Sequence, residues 1–153
     1  MQLMIKKVGN ALDDSNLTAN LPTPHYATDG AAGLDLSAAI TQPITLLPNQ
    51  RYRMPTGIAM AIPDGYVGLV FIRSSLGFKS GITLPNCVGV IDSDYRGEIL
   101  VAMVNISDEA YTINPLDRIA QIVIVPAPQM QVVLADELPD TKRGSGGFGS
   151  TGV

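Results

Sequence analysis

The chain has one cysteine, Cys87, and one histidine, His25, among 153 residues. A single thiol rules out an intramolecular disulfide, and Cys87, set in an apolar run, is expected to be buried and inert. A lone histidine between Pro24 and Tyr26 lacks the company a metal site needs and reads as a loop residue. Positive charge is short as well: ten Lys and Arg against fourteen Asp and Glu leave a net charge of −4. That balance argues against non-specific binding to nucleic acid or to anionic membrane, so a polyanionic ligand must be held by a local cluster of donors. No apolar stretch approaches the roughly 20 residues of a membrane-spanning helix, and no cationic start with an apolar run and cleavage site opens the chain. The expectation is one soluble, cytoplasmic domain with neither nucleic acid nor membrane as partner.

Fifteen Gly and eleven Pro divide the remaining sequence into apolar segments of about four to eight residues, the length of strands rather than helices. An all-β fold is predicted, with strands over residues 1–8, 33–40, 57–62, 66–73, 98–105, 117–126 and 129–134. Several of these runs, GLVFI (68–72) and QIVIV (121–125) among them, are apolar on both faces, which implies burial on both sides. A sandwich or barrel of this size buries one face of each sheet, and the surplus points to subunit contacts. Turns are expected at Leu47-Pro48-Asn49, Pro63-Asp64-Gly65 and Asn114 to Asp117, and a short helical turn over Ser74–Ser80. Residues 9–29 read as a polar surface loop in which Asp13 and Asp14 are solvated charges. Met54, Met60 and Met103 read as core filler. The glycine-rich end, residues 143–153, cannot fold by itself.

Three segments carry chemistry. Arg73-Ser74-Ser75-Leu76-Gly77 places a guanidinium, two hydroxyls and free N–H groups at a strand end, a compact place for phosphate oxygens; the plainer reading makes Ser74 a helix cap and Arg73 a surface charge. Asn86 to Glu98 reads as a β-hairpin with a carboxylate-bearing tip, in which Gly89 and Gly97 admit close approach and the backbone can read the edge of a planar base. Its alternative is an ordinary turn containing Asp92 and Asp94. The tail from Arg143 to Gly152 offers an aromatic face in Phe148 and donors in Arg143, Ser150 and Thr151, as a closing lid would, or is merely a disordered terminus.

In this order, AGLDL (32–36), RSSLG (73–77), NCVGVIDSDYRGE (86–98), DRIAQIV (117–123) and RGSGGFGSTG (143–152) resemble the deoxyuridine triphosphatase family. The resemblance implies a jelly-roll-like β-barrel over residues 1–142 with a flexible lid over 143–153, and a homotrimer whose active sites are shared between subunits. It implies hydrolysis of dUTP to dUMP and pyrophosphate, which supplies dUMP for thymidylate synthesis and keeps uracil out of DNA. Asp92 would activate the water that attacks the α-phosphorus, a general-base task suited to an aspartate. Asn86, with the backbone around Gly89 and Ile91, would read uracil, and Tyr95 would pack under the deoxyribose. Arg73, Ser74, Ser75, Gly77 and Gln121 would contact the phosphates. Phe148 would stack on uracil while Arg143, Gly149, Ser150 and Thr151 close on the γ-phosphate. Mg²⁺ would be held by the phosphates and waters with no protein ligand, and Asp35 would support that network one layer out.

Two departures from the family pattern stand out: Ile72 where a proline commonly precedes the Arg-Ser pair, and a longer loop over residues 9–20. A dCTP deaminase-related activity and a catalytically silent regulatory module on the same fold are the competing readings. A deaminase needs a glutamate near the hairpin to shuttle protons and lacks the GGFGST lid.

Overall fold

Residues 2–9 and 13–147 are described by a computed structural model. Among them are eleven strands and two short helices: β1 (Met4–Lys7), α1 (Ser15–Asn20), β2 (Leu34–Ser37), β3 (Ile44–Leu46), β4 (Arg51–Pro55), β5 (Ile58–Ala61), β6 (Tyr66–Ile72), α2 (Ser74–Ser80), β7 (Ile82–Thr83), β8 (Gly89–Ile91), β9 (Leu100–Asn105), β10 (Tyr111–Ile113) and β11 (Arg118–Pro126). The two runs richest in Val and Ile, β6 and β11, pair antiparallel from Ala120 opposite Ile72 to Pro126 opposite Tyr66. They form the middle of a four-stranded sheet in the order β2-β11-β6-β8. A three-stranded sheet, β4-β9-β7, and two ribbons, β1-β5 and β10-β3, complete the jelly-roll-like, all-β body.

Alternation places one face of each strand in a common core, where Leu36, Met54, Ile58, Ile82, Ile99, Met103, Ile119 and Ile122 are at most 2% exposed. Met60 is buried with them, so three of the methionines do fill core space. One buried polar residue ties separate sheets together. Asn105, at the end of β9 and fully buried, donates from Nδ2 to the carbonyl oxygens of Leu46 at 2.9 Å and Glu109 at 2.7 Å. Its Oδ1 accepts from the Ser107 N–H at 2.9 Å and from the Ser107 hydroxyl at 2.8 Å.

Several sequence expectations give way here. The loop over residues 9–29 contains α1, and Asp14 is its cap: the carboxylate accepts from the N–H groups of Asn16 and Leu17, both at 2.9 Å. Leu17 and Leu21 are buried beneath. Residues 129–134 form no strand: Met130, Val132, Val133 and Leu134 are exposed, and among the described residues they pair with none. The segment from Asn86 to Glu98 is not a hairpin either. β8 pairs with β6, whereas β9 pairs with β4 and β7, so the Asp92 turn is a crossing between two sheets. Cys87 is exposed at a left-handed backbone position, φ 63°, in that crossing. Ile72 simply continues β6 opposite Ala120.

Asn105→Ala would take the donor from the buried Leu46 carbonyl oxygen and release the half-buried Ser107–Glu109 turn. The expected loss is about 2–3 kcal/mol of unfolding free energy, measured by urea denaturation, because each unpaired buried group costs roughly 1–3 kcal/mol.

Candidate active site

β8 carries the first half of the site. Its register on β6 puts Gly89 opposite Val70, Val90 opposite Leu69 and Ile91 opposite Gly68, so the chain leaves the sheet edge at Asp92. A turn follows, closed by the Tyr95 N–H donating to the Asp92 carbonyl at 3.2 Å. Arg96 braces it by donating from Nη1 to the carbonyls of Ser93 at 2.6 Å and Tyr95 at 3.0 Å. The Tyr95 ring folds back across Gly97, and its hydroxyl donates to the Glu98 carbonyl at 2.9 Å. Only glycine permits this: a Cβ at residue 97 would run into the Tyr95 hydroxyl oxygen and stand 2.6 Å from the ring carbon bearing it. Val90, Ile91, Asp92, Tyr95, Glu98 and Leu100 line a cavity of about 190 Å³. The Asp92 carboxylate is exposed there, and no described residue pairs with it. Glu98 is engaged elsewhere, its Oε1 accepting from the Gly57 N–H at 2.7 Å.

The second half lies at the other end of β6. Arg73 follows the strand and is the residue before α2; no side chain caps that helix, so Ser74 is its first residue rather than its cap. Ser74 and Ser75 are exposed. Arg73 Nε lies 3.6 Å from Asp35 Oδ1, and Arg118 Nη1 lies 3.0 Å from Asp35 Oδ2. Arg73, Ser75, Leu76, Tyr111, Asp117 and Arg118 are among the residues lining a cavity of about 290 Å³. Gln121 stands between Asp35 on β2 and Phe71 on β6. Its side chain passes over Gly33, where a Cβ would come within 2.7 Å of Oε1.

Thus the structure groups Asp92, Ile91 and Tyr95, and separately groups Arg73, Ser75 and Asp35, with Gln121 beside Asp35. It does not bring the two groups together in one chain. Ile91 sits opposite Gly68, while Arg73 lies five residues further along β6, about 16 Å away at roughly 3.3 Å per strand residue. The two cavities share no lining residue. Asn86 is exposed before β8, its carbonyl accepting from the Val88 N–H at 2.7 Å, and Gly77 lies within α2. Arg143 Nε donates to the Gly146 carbonyl at 2.8 Å in a local turn. Phe148, Gly149, Ser150 and Thr151 lie outside the described residues. His25 is exposed, one ring nitrogen 3.0 Å from the Thr23 carbonyl oxygen.

One residue of the second group was not anticipated. Arg118 would share the core-facing parity of Ala120 and Ile122 in a regular strand. A register shift between Arg118 and Ala120 inserts one extra residue, sends Ile119 into the core and turns Arg118 to the Asp35 face.

A family model described as dUTPase matches residues 19–152. A deoxyuridine 5'-triphosphate nucleotidohydrolase of Alcanivorax borkumensis is 47% identical over 140 residues, covering 91% of this chain and 93% of its own. One from Caulobacter vibrioides is 52% identical over 137 residues, 88% of each chain. A solved dUTPase of Staphylococcus bacteriophage 80alpha with dUpNHpp superposes with a TM-score of 0.85 at 26% identity, over 99% of both chains. With that match over most of its length, the chain belongs to the dUTPase family.

Proposed function

We propose that the protein hydrolyses dUTP to dUMP and pyrophosphate in the cytoplasm. The observation that carries this reading is the cavity in which the unpaired Asp92 carboxylate stands beside the braced Tyr95 ring. A deoxynucleoside enters there, with uracil read by Asn86 and the backbone of Gly89 and Ile91, and the deoxyribose seated on Tyr95. Asp92 takes a proton from a water as its oxygen attacks the α-phosphorus. The bond from that phosphorus to the bridging oxygen breaks, and pyrophosphate leaves with the electron pair. Arg73, Ser74, Ser75, Gly77 and Gln121 receive the phosphates.

Since the Asp92 and Arg73 groups of one chain lie about 16 Å apart along β6 at strand spacing, while adjacent phosphates share a single oxygen, each site takes these groups from different copies in a homotrimer. Residues 127–138 support this arrangement, because they leave the body with Met130, Val132, Val133, Leu134 and Leu138 exposed. They lead into the lid of residues 143–153, which brings Phe148 onto uracil and Arg143, Gly149, Ser150 and Thr151 onto the γ-phosphate.

Mg²⁺ belongs to this reading as the triphosphate's partner. A hard cation of this size suits phosphate oxygens and water. Asp35 fits beside it: its Oδ2 accepts a hydrogen bond from Arg118 while its Oδ1 meets Arg73 only in an ionic contact at 3.6 Å, so the carboxylate keeps acceptor capacity that would serve water around the ion. When bound, the ion offsets phosphate charge. The deaminase alternative finds less support, since the Glu98 carboxylate is committed to Gly57. Release of ammonia from dCTP, without pyrophosphate from dUTP, would reverse that choice.

Asp92→Asn is expected to bind dUTP nearly as well as the parent and to turn over more slowly by about 10²-fold or more, the usual range for a general base. Pyrophosphate release under saturating dUTP measures this; undiminished turnover with a raised KM would make Asp92 a binding residue instead. Tyr95→Ala is expected to raise the ratio of kcat/KM for UTP to that for dUTP, since the ring would no longer oppose a 2′-hydroxyl. A flat ratio would place sugar discrimination elsewhere.

A further inference from the structure

Asp35 is the least exposed member of a three-charge row, its side chain 21% accessible against 30% for Arg73 and 54% for Arg118. Its contacts are unequal. The Arg118 pair is a hydrogen bond at 3.0 Å, and the Arg73 pair is a looser ionic contact at 3.6 Å. Two guanidinium groups and one carboxylate leave the row with a net positive charge. Removing Arg118 would leave Asp35 and Arg73 as a neutral pair, with the carboxylate free to draw Arg73 into a closer, bidentate contact. A phosphate arriving at Arg73 would then meet a committed guanidinium and an adjacent negative charge. The bulge that turns Arg118 outward is thus what lets the row exist.

We propose that Arg118 is a positioning residue for phosphate binding, one that occupies Asp35 and so keeps the Arg73 guanidinium available to the ligand. The proposal rests on the reading that phosphates sit against Arg73 and Ser75. Arg118 acts through Asp35. A sequence carrying the same Arg without the extra residue at 119 would point it toward the core and lose the effect.

The test is binding of inorganic pyrophosphate, followed by titration calorimetry at low salt in the presence of a chelator, to the full-length protein and five variants. Arg118→Gln is expected to weaken binding by about tenfold, the scale of one charge-assisted contact. The same loss is expected to appear in KM for dUTP more than in kcat. Arg118→Lys, which keeps the charge, is expected to stay within about threefold of the parent. The deciding variant is Arg118→Gln combined with Asp35→Asn: with no carboxylate left to capture Arg73, affinity is expected to rise back toward that of Asp35→Asn alone. A double variant as weak as Arg118→Gln, or weaker, would overturn the proposal by showing that Arg118 does not act through Asp35. An Arg118→Lys variant as weak as Arg118→Gln would overturn it too. Arg73→Gln separates the two levels of the argument. Unchanged pyrophosphate binding in that variant would sink the placement of phosphates at Arg73, and the role of Arg118 with it.

Discussion

The pairing of β6 between β11 and β8 is the constraint on which the rest depends. It fixes an extended rod with Ile91, and hence the Asp92 turn, held near one end and Arg73 at the other. Strand geometry does not shorten, so one chain cannot fold Asp92 onto Arg73 without giving up ladder hydrogen bonds and the buried faces of Val70 and Ile122. The same register lays Gln121 between Asp35 and Phe71 and, through the bulge after Arg118, gathers three charges at the Arg73 end. A rigid sheet therefore holds the two groups of residues apart within one chain, and the proposed sharing of each site between copies rests on that separation.

Within each half-site, stiffness comes from local bonds rather than burial. Tyr95 is held by its hydroxyl on the Glu98 carbonyl and by Gly97 beneath the ring; Arg96 fixes the turn through two carbonyls. Asp92 is left out of this bracing, so its carboxylate is free for a water. At the other end Asp35 is shared between Arg73 and Arg118. This leaves Ser75 exposed and Arg73 only loosely engaged.

Much of this was legible from residue order alone. The runs YVGLVFI and RIAQIVIVP announced β6 and β11, the helical turn over Ser74–Ser80 formed where expected, and the segments around Asp92 and Arg73 were visible as chemistry. Short elements were not: the three-residue strands β3 and β10 carry too few residues for a period to show, and α1 hides in a polar stretch that it anchors through the buried Leu17 and Leu21. The supposed hairpin failed because two apolar runs around a turn look alike whether they pair with each other or with separate strands. Residues 129–134 have strand composition but, among the described residues, pair with no strand. The face that Arg118 takes is set by the extra residue before Ala120, which regular strand alternation does not show. The exposure of Cys87 follows from the crossing between sheets, which an apolar neighbourhood in sequence does not reveal.

The central claim is that each site takes Asp92 and Arg73 from different copies of the chain, and mixing two inactive variants tests it most directly. Asp92→Asn and Arg73→Gln chains, each nearly dead alone, would be co-refolded in equal amounts and the mixed oligomers verified by mass. With random assembly a site receives an intact Asp92 half the time and an intact Arg73 half the time, so about a quarter of parental dUTP hydrolysis is expected to return. A verified mixture that stays at the level of its parents would mean that both residues come from one chain, and would contradict the account.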